Sequence, residues 1–377
     1  MKKVLLLLLF FCAQAHAGQD TPSPPHVEAR SYVVLDLTSG QTILSRGADE
    51  RMAPASLTKL MTAYLVFDAL KQGNIKPDQK LKVSDKALHA EGTRMFLNPE
   101  KRATVAELIN GMVIEGGNDA AIALAEGVAG SEHAFVDMMN KEAERLGMSN
   151  THFRNPTGLP ESGHYSTVRD LALLSASLII DFPKRYSVFS AKEYSWNGIT
   201  QPNRNRLLWM DPYVDGLMTG HADESGYCLA ASVKRGSRRL ISVLAGAHSD
   251  SGRAIESQKL LNYALQYYAT VRLYAKDQPV TTLRIWKGKK NMLKAGFLSD
   301  LYVTVPRGDE SGLQAVVEAQ QPLVVPVLAG QQVGMVKVSL NGKRFAEYPL
   351  LALENVAPAN FIGRAWDSLK LLLNGKP

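Results

Sequence analysis

The sequence predicts an α/β (α+β) chain in which an antiparallel sheet is flanked by helices, followed by a small all-β domain and a C-terminal amphipathic helix. Three observations carry this. A strand hairpin precedes a long helical stretch and further strands return only after it, which draws the strands of one sheet from distant parts of the chain. From about Val271 the texture changes to short strands separated by Gly-rich or charged turns. The final segment, 358–377, then repeats apolar side chains at helical spacing.

At the N-terminus, Lys2 and Lys3 precede the apolar run Val4 to Phe11 and the small-x-small triplet Ala15-His16-Ala17, the pattern of a secretory signal peptide over 1–17. Cys12 leaves with that segment, because Phe10 and Phe11 stand where a lipoprotein site wants small residues. Cys228 is then the single thiol, a buried small hydrophobe by its apolar neighbours, and no internal disulfide is expected. The formal charge of +7 becomes +5 without Lys2 and Lys3, which suits an anionic cell-surface environment. Export argues against a nucleic-acid partner. About 360 mature residues exceed one small core and fit two domains.

Residues 18–28 form a proline-rich leader with little reason to fold, and the main domain is expected over 29–271. It opens with a hairpin, Tyr32 to Leu37 and Thr42 to Ser45 around Ser39-Gly40, that delivers the chain to Ser56 and a helix. Helical patterning continues in Thr104 to Ile114, Asp119 to Val128, His133 to Leu146 and Thr167 to Leu178. Strands return at Tyr227 to Val233 and Leu240 to Ala245, and Ala254 to Tyr268 reads as an amphipathic helix.

The β-rich domain, 272–357, is predicted from Leu301 to Val305, Leu313 to Glu318, Leu323 to Val327 and Gly334 to Leu340. In the tail, Phe361, Ile362, Ala365, Trp366, Leu369, Leu372 and Leu373 recur against Arg364, Asp367, Lys370 and Asn374. Such a helix is too short and interrupted to span a bilayer but suits a membrane interface. The alternative is a helix docked on the β domain.

The chemistry starts at Ser56-Leu57-Thr58-Lys59, which follows Met52-Ala53-Pro54-Ala55. Residues three apart share a helix face, so the Ser56 hydroxyl and Lys59 amine can meet as nucleophile and general base, with nearby N–H groups to hold an oxyanion. The tetrapeptide alone equally fits an ordinary helix N-terminus with a solvated lysine. Two further segments extend it: Glu115-Gly116-Gly117-Asn118-Asp119 between two helices, and Val214 to His221 before the strand at Tyr227.

Together these resemble the Ser-x-x-Lys, Ser-x-Asn and Lys-Thr-Gly motifs of penicillin-recognising serine enzymes. Met52 to Lys59, Asn155-Pro156-Thr157-Gly158-Leu159, Ser166-Thr167-Val168-Arg169-Asp170 and Val214 to Tyr227 narrow the resemblance to low-molecular-mass penicillin-binding proteins of the D-alanyl-D-alanine carboxypeptidase family. The resemblance implies a serine β-lactamase/transpeptidase-like domain. It also implies that Ser56, with Lys59 as base, attacks the bond between the two terminal D-alanines of a peptidoglycan stem pentapeptide. By the same resemblance Asn118 holds the substrate amide, and the N–H groups of Ser56 and His221 form the oxyanion hole. Thr219 and Arg253, beside Gly220, bind the terminal carboxylate. β-Lactams would acylate the same serine, an anionic membrane surface would hold the tail, and no cofactor or metal is expected. The location implied is the periplasmic side of a bacterial inner membrane.

Two positions depart from the pattern. Gly116 replaces the motif serine, which removes a hydroxyl that could relay a proton to the leaving amine, and Met218 replaces the motif lysine. Without that cation Lys59 is expected to have a higher pKa and to be a poorer base. Each loss is expected to lower the rate by about 10²–10⁴. The expectation is a slowed carboxypeptidase, and the alternative is a degenerate penicillin-binding protein acylated with little turnover. His164 and Glu161 stand near the expected rim, with structural roles favoured.

Overall fold

The computed structural model describes residues 22–374, so the signal-peptide reading of 1–17 and the start of the leader lie outside the described residues. The chain forms two compact units, one of 24–270 with 302–304 and one built from the sequence after 270.

The first unit is organised by an antiparallel sheet whose strands lie in the order Gln41–Arg46, Ser31–Asp36, Arg238–Ala247, Gly226–Arg235 and Val214–Gly216, with Thr219–Ala222 also paired to Gly226–Arg235. Strand alternation sorts the side chains. Val33 and Leu35 enter one core with the helices Lys59–Gln72 and Val168–Asp181, while Tyr32 and Val34 enter another with the helix Asp250–Tyr267. The sheet therefore lies between two helical layers. Leu60, Met61, Ala63 and Val66 are wholly enclosed, and each larger side chain contributes roughly 1.5–3 kcal/mol of burial. That packing fixes the helix on which Lys59 sits.

Several boundaries differ from the expectation in ways that matter. Ser56 lies not in an α-helical turn but in a short 3₁₀ segment, Ala55–Thr58, that feeds the α-helix at Lys59. The helix expected to run to Ile114 is α only over Val105–Asn110, opened by a Thr104/Glu107 capping box, and widens into a π turn over Gly111–Glu115. The segment before Tyr227 was expected only to lead into a strand, but Thr219–Ala222 is itself a strand, paired Thr219 to Leu229 and Gly220 to Cys228. Cys228 is buried, with a free thiol.

The second unit contains a sheet in the order Leu313–Ala319, Gln332–Leu340, Lys343–Ala352, Met292–Gly296, Pro279–Trp286 and Leu323–Val324. Its core gathers Leu283, Ile285, Leu293, Val336, Val338 and Leu350. The strand expected over 323–327 shrinks to two residues, because Pro322 and Pro326 bracket it and neither carries an N–H for a ladder. Helix Phe361–Asn374 follows, and Asp367 accepts from the Lys287 N–H at 2.6 Å. Phe361, Ile362 and Leu372 on it are more than three-quarters exposed.

Candidate active site

The Ser56 turn and the helix behind it set the first geometry. Lys59 Nζ lies 2.9 Å from Ser56 Oγ and donates to the Thr157 carbonyl at 2.8 Å, and the whole lysine is buried. The Asn155 side chain builds that carbonyl's turn by accepting from the N–H groups of Thr157 and Gly158 at 3.2 and 2.8 Å. Pro156 is tied down as well, its carbonyl accepting from Thr62 Oγ1 at 2.7 Å. The carbonyl that receives the Lys59 amine is therefore held in place by the side chains of Asn155 and Thr62.

The second wall is the start of helix Asn118–Ala129. Asn118 Nδ2 donates to the Glu91 carbonyl at 2.7 Å, while its buried Oδ1 has no partner among the described residues. That open acceptor matches a substrate N–H. Asp119, next along, is buried and its two oxygens accept from Met95 N–H at 3.0 Å and Leu97 N–H at 3.1 Å, which pins the 91–97 segment beside the cleft. Gly116 caps the π turn at φ +77°, a left-handed conformation that a side chain resists.

The third wall is the strand Thr219–Ala222. A Cβ on Gly220 would stand 3.3 Å from Ser56 N and 3.2 Å from Ala55 Cβ, so any side chain there would crowd the nucleophile's turn by a few tenths of an ångström. His221 is exposed and its ring lies 4.2 Å from that of Tyr227. Arg253, on helix Asp250–Tyr267, donates to the Gly220 carbonyl at 2.9 Å and pairs with Asp250, so its charge is already partly answered. Met218 is buried.

These walls enclose a cleft of about 220 Å³ that brings together Ser56, Gly116, Met218, Thr219, Gly220, His221 and Arg253. Asn118 flanks it and Lys59 lies beneath it. Among the other residues that line it is Arg204, which no motif in the sequence singled out.

Burial overturns the expectation for Lys59. It is the main cause, joined by the Arg204 guanidinium and opposed by Asp119, that holds the Lys59 amine at about 7 against the ordinary 10.5. A neutral base is thus available without a cation at 218. The signal for Arg204 in the sequence is its setting, Asn203-Arg204-Asn205, where both asparagines are buried and bond the local backbone. Asx turns of this kind are too common to mark a site by themselves.

Glu115 was also missed. Its buried carboxyl accepts from Gln201 Nε2 at 2.9 Å, its other oxygen has no partner among the described residues, and burial followed by the Asp119 charge pushes its pKa up to about 7. At the rim, His164 and Glu161 have structural partners. His164 Nδ1 accepts from the Arg154 N–H at 3.3 Å, so Nε2 carries the proton and donates to Thr58 Oγ1 at 2.9 Å. Glu161 pairs with Arg154 at 3.6 Å and accepts from Asn155 Nδ2 at 3.1 Å.

Comparison with known proteins gives the chain's relatives. The sequence profile of a family described as D-alanyl-D-alanine carboxypeptidase matches residues 18–249, and that of the penicillin-binding protein 5 C-terminal domain matches residues 268–358. The chain is 42% identical over 369 residues to D-alanyl-D-alanine carboxypeptidase DacC of Escherichia coli strain K12, covering 96% of this chain and 92% of that protein. It is 37% identical over 390 residues to DacA of the same strain, covering 99% and 97%. Among solved structures, penicillin binding protein 5 from Haemophilus influenzae superposes with a TM-score of 0.86 at 37% identity, covering 89% of this chain and 99% of that one.

Proposed function

The chain belongs to the serine-type D-alanyl-D-alanine carboxypeptidase family, and from that premise we propose that it removes the terminal D-alanine of peptidoglycan stem pentapeptides through an acyl-enzyme on Ser56. The observation that carries this reading is the 2.9 Å approach of Ser56 Oγ to a buried Lys59 amine whose pKa lies at about 7. The neutral amine takes the Ser56 proton as Oγ attacks the carbonyl carbon between the two D-alanines. The resulting oxyanion meets the N–H groups of Ser56 and His221. The amide N–H of the substrate donates to Asn118 Oδ1, and Thr219 with the cationic side of the cleft receives the terminal carboxylate. The proton returns to the leaving D-alanine nitrogen, and water, deprotonated by Lys59, then opens the ester. β-Lactams acylate Ser56 by the same first step.

The altered motifs favour one second reading: a degenerate penicillin-binding protein that is acylated with little turnover, since Gly116 offers no hydroxyl to the proton transfers of the cycle. The protein is exported to the peptidoglycan layer in this reading, with the helix Phe361–Asn374 resting on the membrane surface. D-Alanine release from a soluble pentapeptide, measured beside fluorescent-penicillin labelling, separates the two. Release with labelling supports the carboxypeptidase, and labelling alone supports the slow variant. Ser56→Ala is expected to abolish both while leaving circular dichroism unchanged; labelling of that variant would rule Ser56 out.

A further inference from the structure

We propose that Arg204 is a catalytic residue of this cleft, facing the substrate's terminal carboxylate and the Ser56–Lys59 pair from the Asn203–Asn205 turn, and so standing in for the cation that Met218 does not supply. The proposal rests on the carboxypeptidase reading above and names the residue that makes the altered motifs workable.

Four observations support it. First, Arg204 lines the same cleft as Ser56, Met218 and Thr219. Second, it runs beside the altered second motif: a Cβ on Gly116 would lie 3.9 Å from Arg204 Cδ and 4.0 Å from Nε, and Nε donates to the Glu115 carbonyl at 3.4 Å. A Cβ at residue 116 would thus be in ordinary contact with the arginine stem, which places Arg204 directly against the altered motif. Third, its mount is rigid. The Asn203 N–H donates to the Lys192 carbonyl at 2.7 Å, Asn203 Nδ2 donates to the Ala191 carbonyl at 2.9 Å, and Asn203 Oδ1 accepts from the Asn205 N–H at 2.9 Å. The turn fixes where the arginine starts, and its exposed side chain is directed along the cleft by the bond to the Glu115 carbonyl.

Fourth, Arg204 makes no ion pair with a carboxylate among the described residues, while Arg253 is bound by Asp250 and by the Gly220 carbonyl. The less neutralised of the two guanidinium groups is therefore the one beside Gly116. The charged groups near it are Lys59 and Arg253, with the Glu115 carboxyl, on the residue whose carbonyl Arg204 meets, tied to Gln201 and Asp119 tied to the 95–97 backbone. An incoming carboxylate is the partner this arrangement lacks.

The test is a cycle of Arg204→Gln, Arg204→Lys, Met218→Lys and the Arg204→Gln/Met218→Lys double variant, each checked for folding by circular dichroism. Acylation by fluorescent penicillin is followed from pH 5 to 9. Arg204→Gln is expected to slow acylation about 30- to 300-fold and to move the rising limb of the pH profile upward by about one unit. Arg204→Lys, which keeps the charge, is expected to recover most of the rate. Met218→Lys is expected to recover about tenfold or more in the Arg204→Gln background and to give a much smaller gain alone, because the two cations serve one proton-transfer network.

A wild-type rate and limb in Arg204→Gln would overturn the proposal, as would equal gains from Met218→Lys in both backgrounds. A readout independent of turnover keeps it separate from the carboxypeptidase reading. In a Ser56→Ala background, Arg204→Gln is expected to weaken calorimetric binding of the pentapeptide acid about tenfold without affecting its C-terminal amide. Equal binding of the acid with and without Arg204 would sink the proposal even if the enzyme turns over. Failure of D-alanine release and acylation in the wild type would sink the carboxypeptidase reading instead, and the binding comparison would still judge Arg204.

Discussion

At the scale of single residues, the site turns on what surrounds one amine. An ordinary lysine titrates near 10.5, and burial of Lys59 brings it to about 7, so the free base accumulates as the pH rises through 7 and not three units higher. Acylation by fluorescent penicillin is accordingly expected to rise across pH 6–8 and then level; a rate still climbing at pH 9 would contradict a buried neutral base. Gly116 sets a second expectation. Position 116 has φ +77°, so Gly116→Ser places a Cβ in a strained conformation costing about 1 kcal/mol, and its gain in turnover should be under about fivefold. Thermal denaturation beside D-alanine release reads both numbers. Ser56 and Lys59 were legible in the sequence because their spacing states their geometry. Arg204 was not, because its place in the cleft comes from a turn 145 residues beyond Lys59, and spacing along the chain says nothing about such a meeting.

At the scale of elements, periodicity found four strands of the first unit's sheet and its long helices within a few residues, since Val33, Leu35 and the apolar face of Lys59–Gln72 follow the patterns of two and 3.6, but not the short strands Val214–Gly216 and Thr219–Ala222. It missed Pro279–Trp286, Met292–Gly296 and Lys343–Ala352, where charges such as the exposed Lys343 and Arg344 and the half-buried Glu347 break the alternation at a half-solvated sheet. The π turn Gly111–Glu115 was equally invisible, since one extra residue in a helical turn leaves no clear mark on an apolar run. The loop bearing His164 gives a stability expectation. Burial holds His164 down at about 4 from the ordinary 6.5, with Glu161 opposing and His152 and Arg154 adding to the shift. Between those values the unfolded chain binds a proton that the folded chain refuses, so stability falls as the pH drops from 6.5 toward 4, by roughly 3 kcal/mol in all. His164→Gln keeps a donor for Thr58 and is expected to flatten that slope in urea titrations at pH 4 and 7; an unchanged slope would place the acid sensitivity elsewhere.

At the scale of the whole molecule, the chain joins a carboxypeptidase unit to a β-rich unit that ends in a helix with Phe361, Ile362, Trp366, Leu369 and Leu372 facing solvent. No helix among the described residues is long and apolar enough to cross a membrane. Removing residues 358–377 is expected to release the protein from anionic vesicles while leaving Ser56 acylation by penicillin unchanged; equal vesicle binding by both forms would assign the contact to another surface. The helix was legible from its spacing, and what it touches was not, because an apolar stripe reads the same against lipid or protein. Cys228 has a use of its own. Its enclosed thiol sits in the strand opposite Gly220, so a small alkylating reagent can reach it only when that strand parts from its neighbours. The rate of modification in native buffer would then clock the opening of the cleft wall itself, and a bound β-lactam that slows the clock would reveal how firmly an acyl group braces that strand.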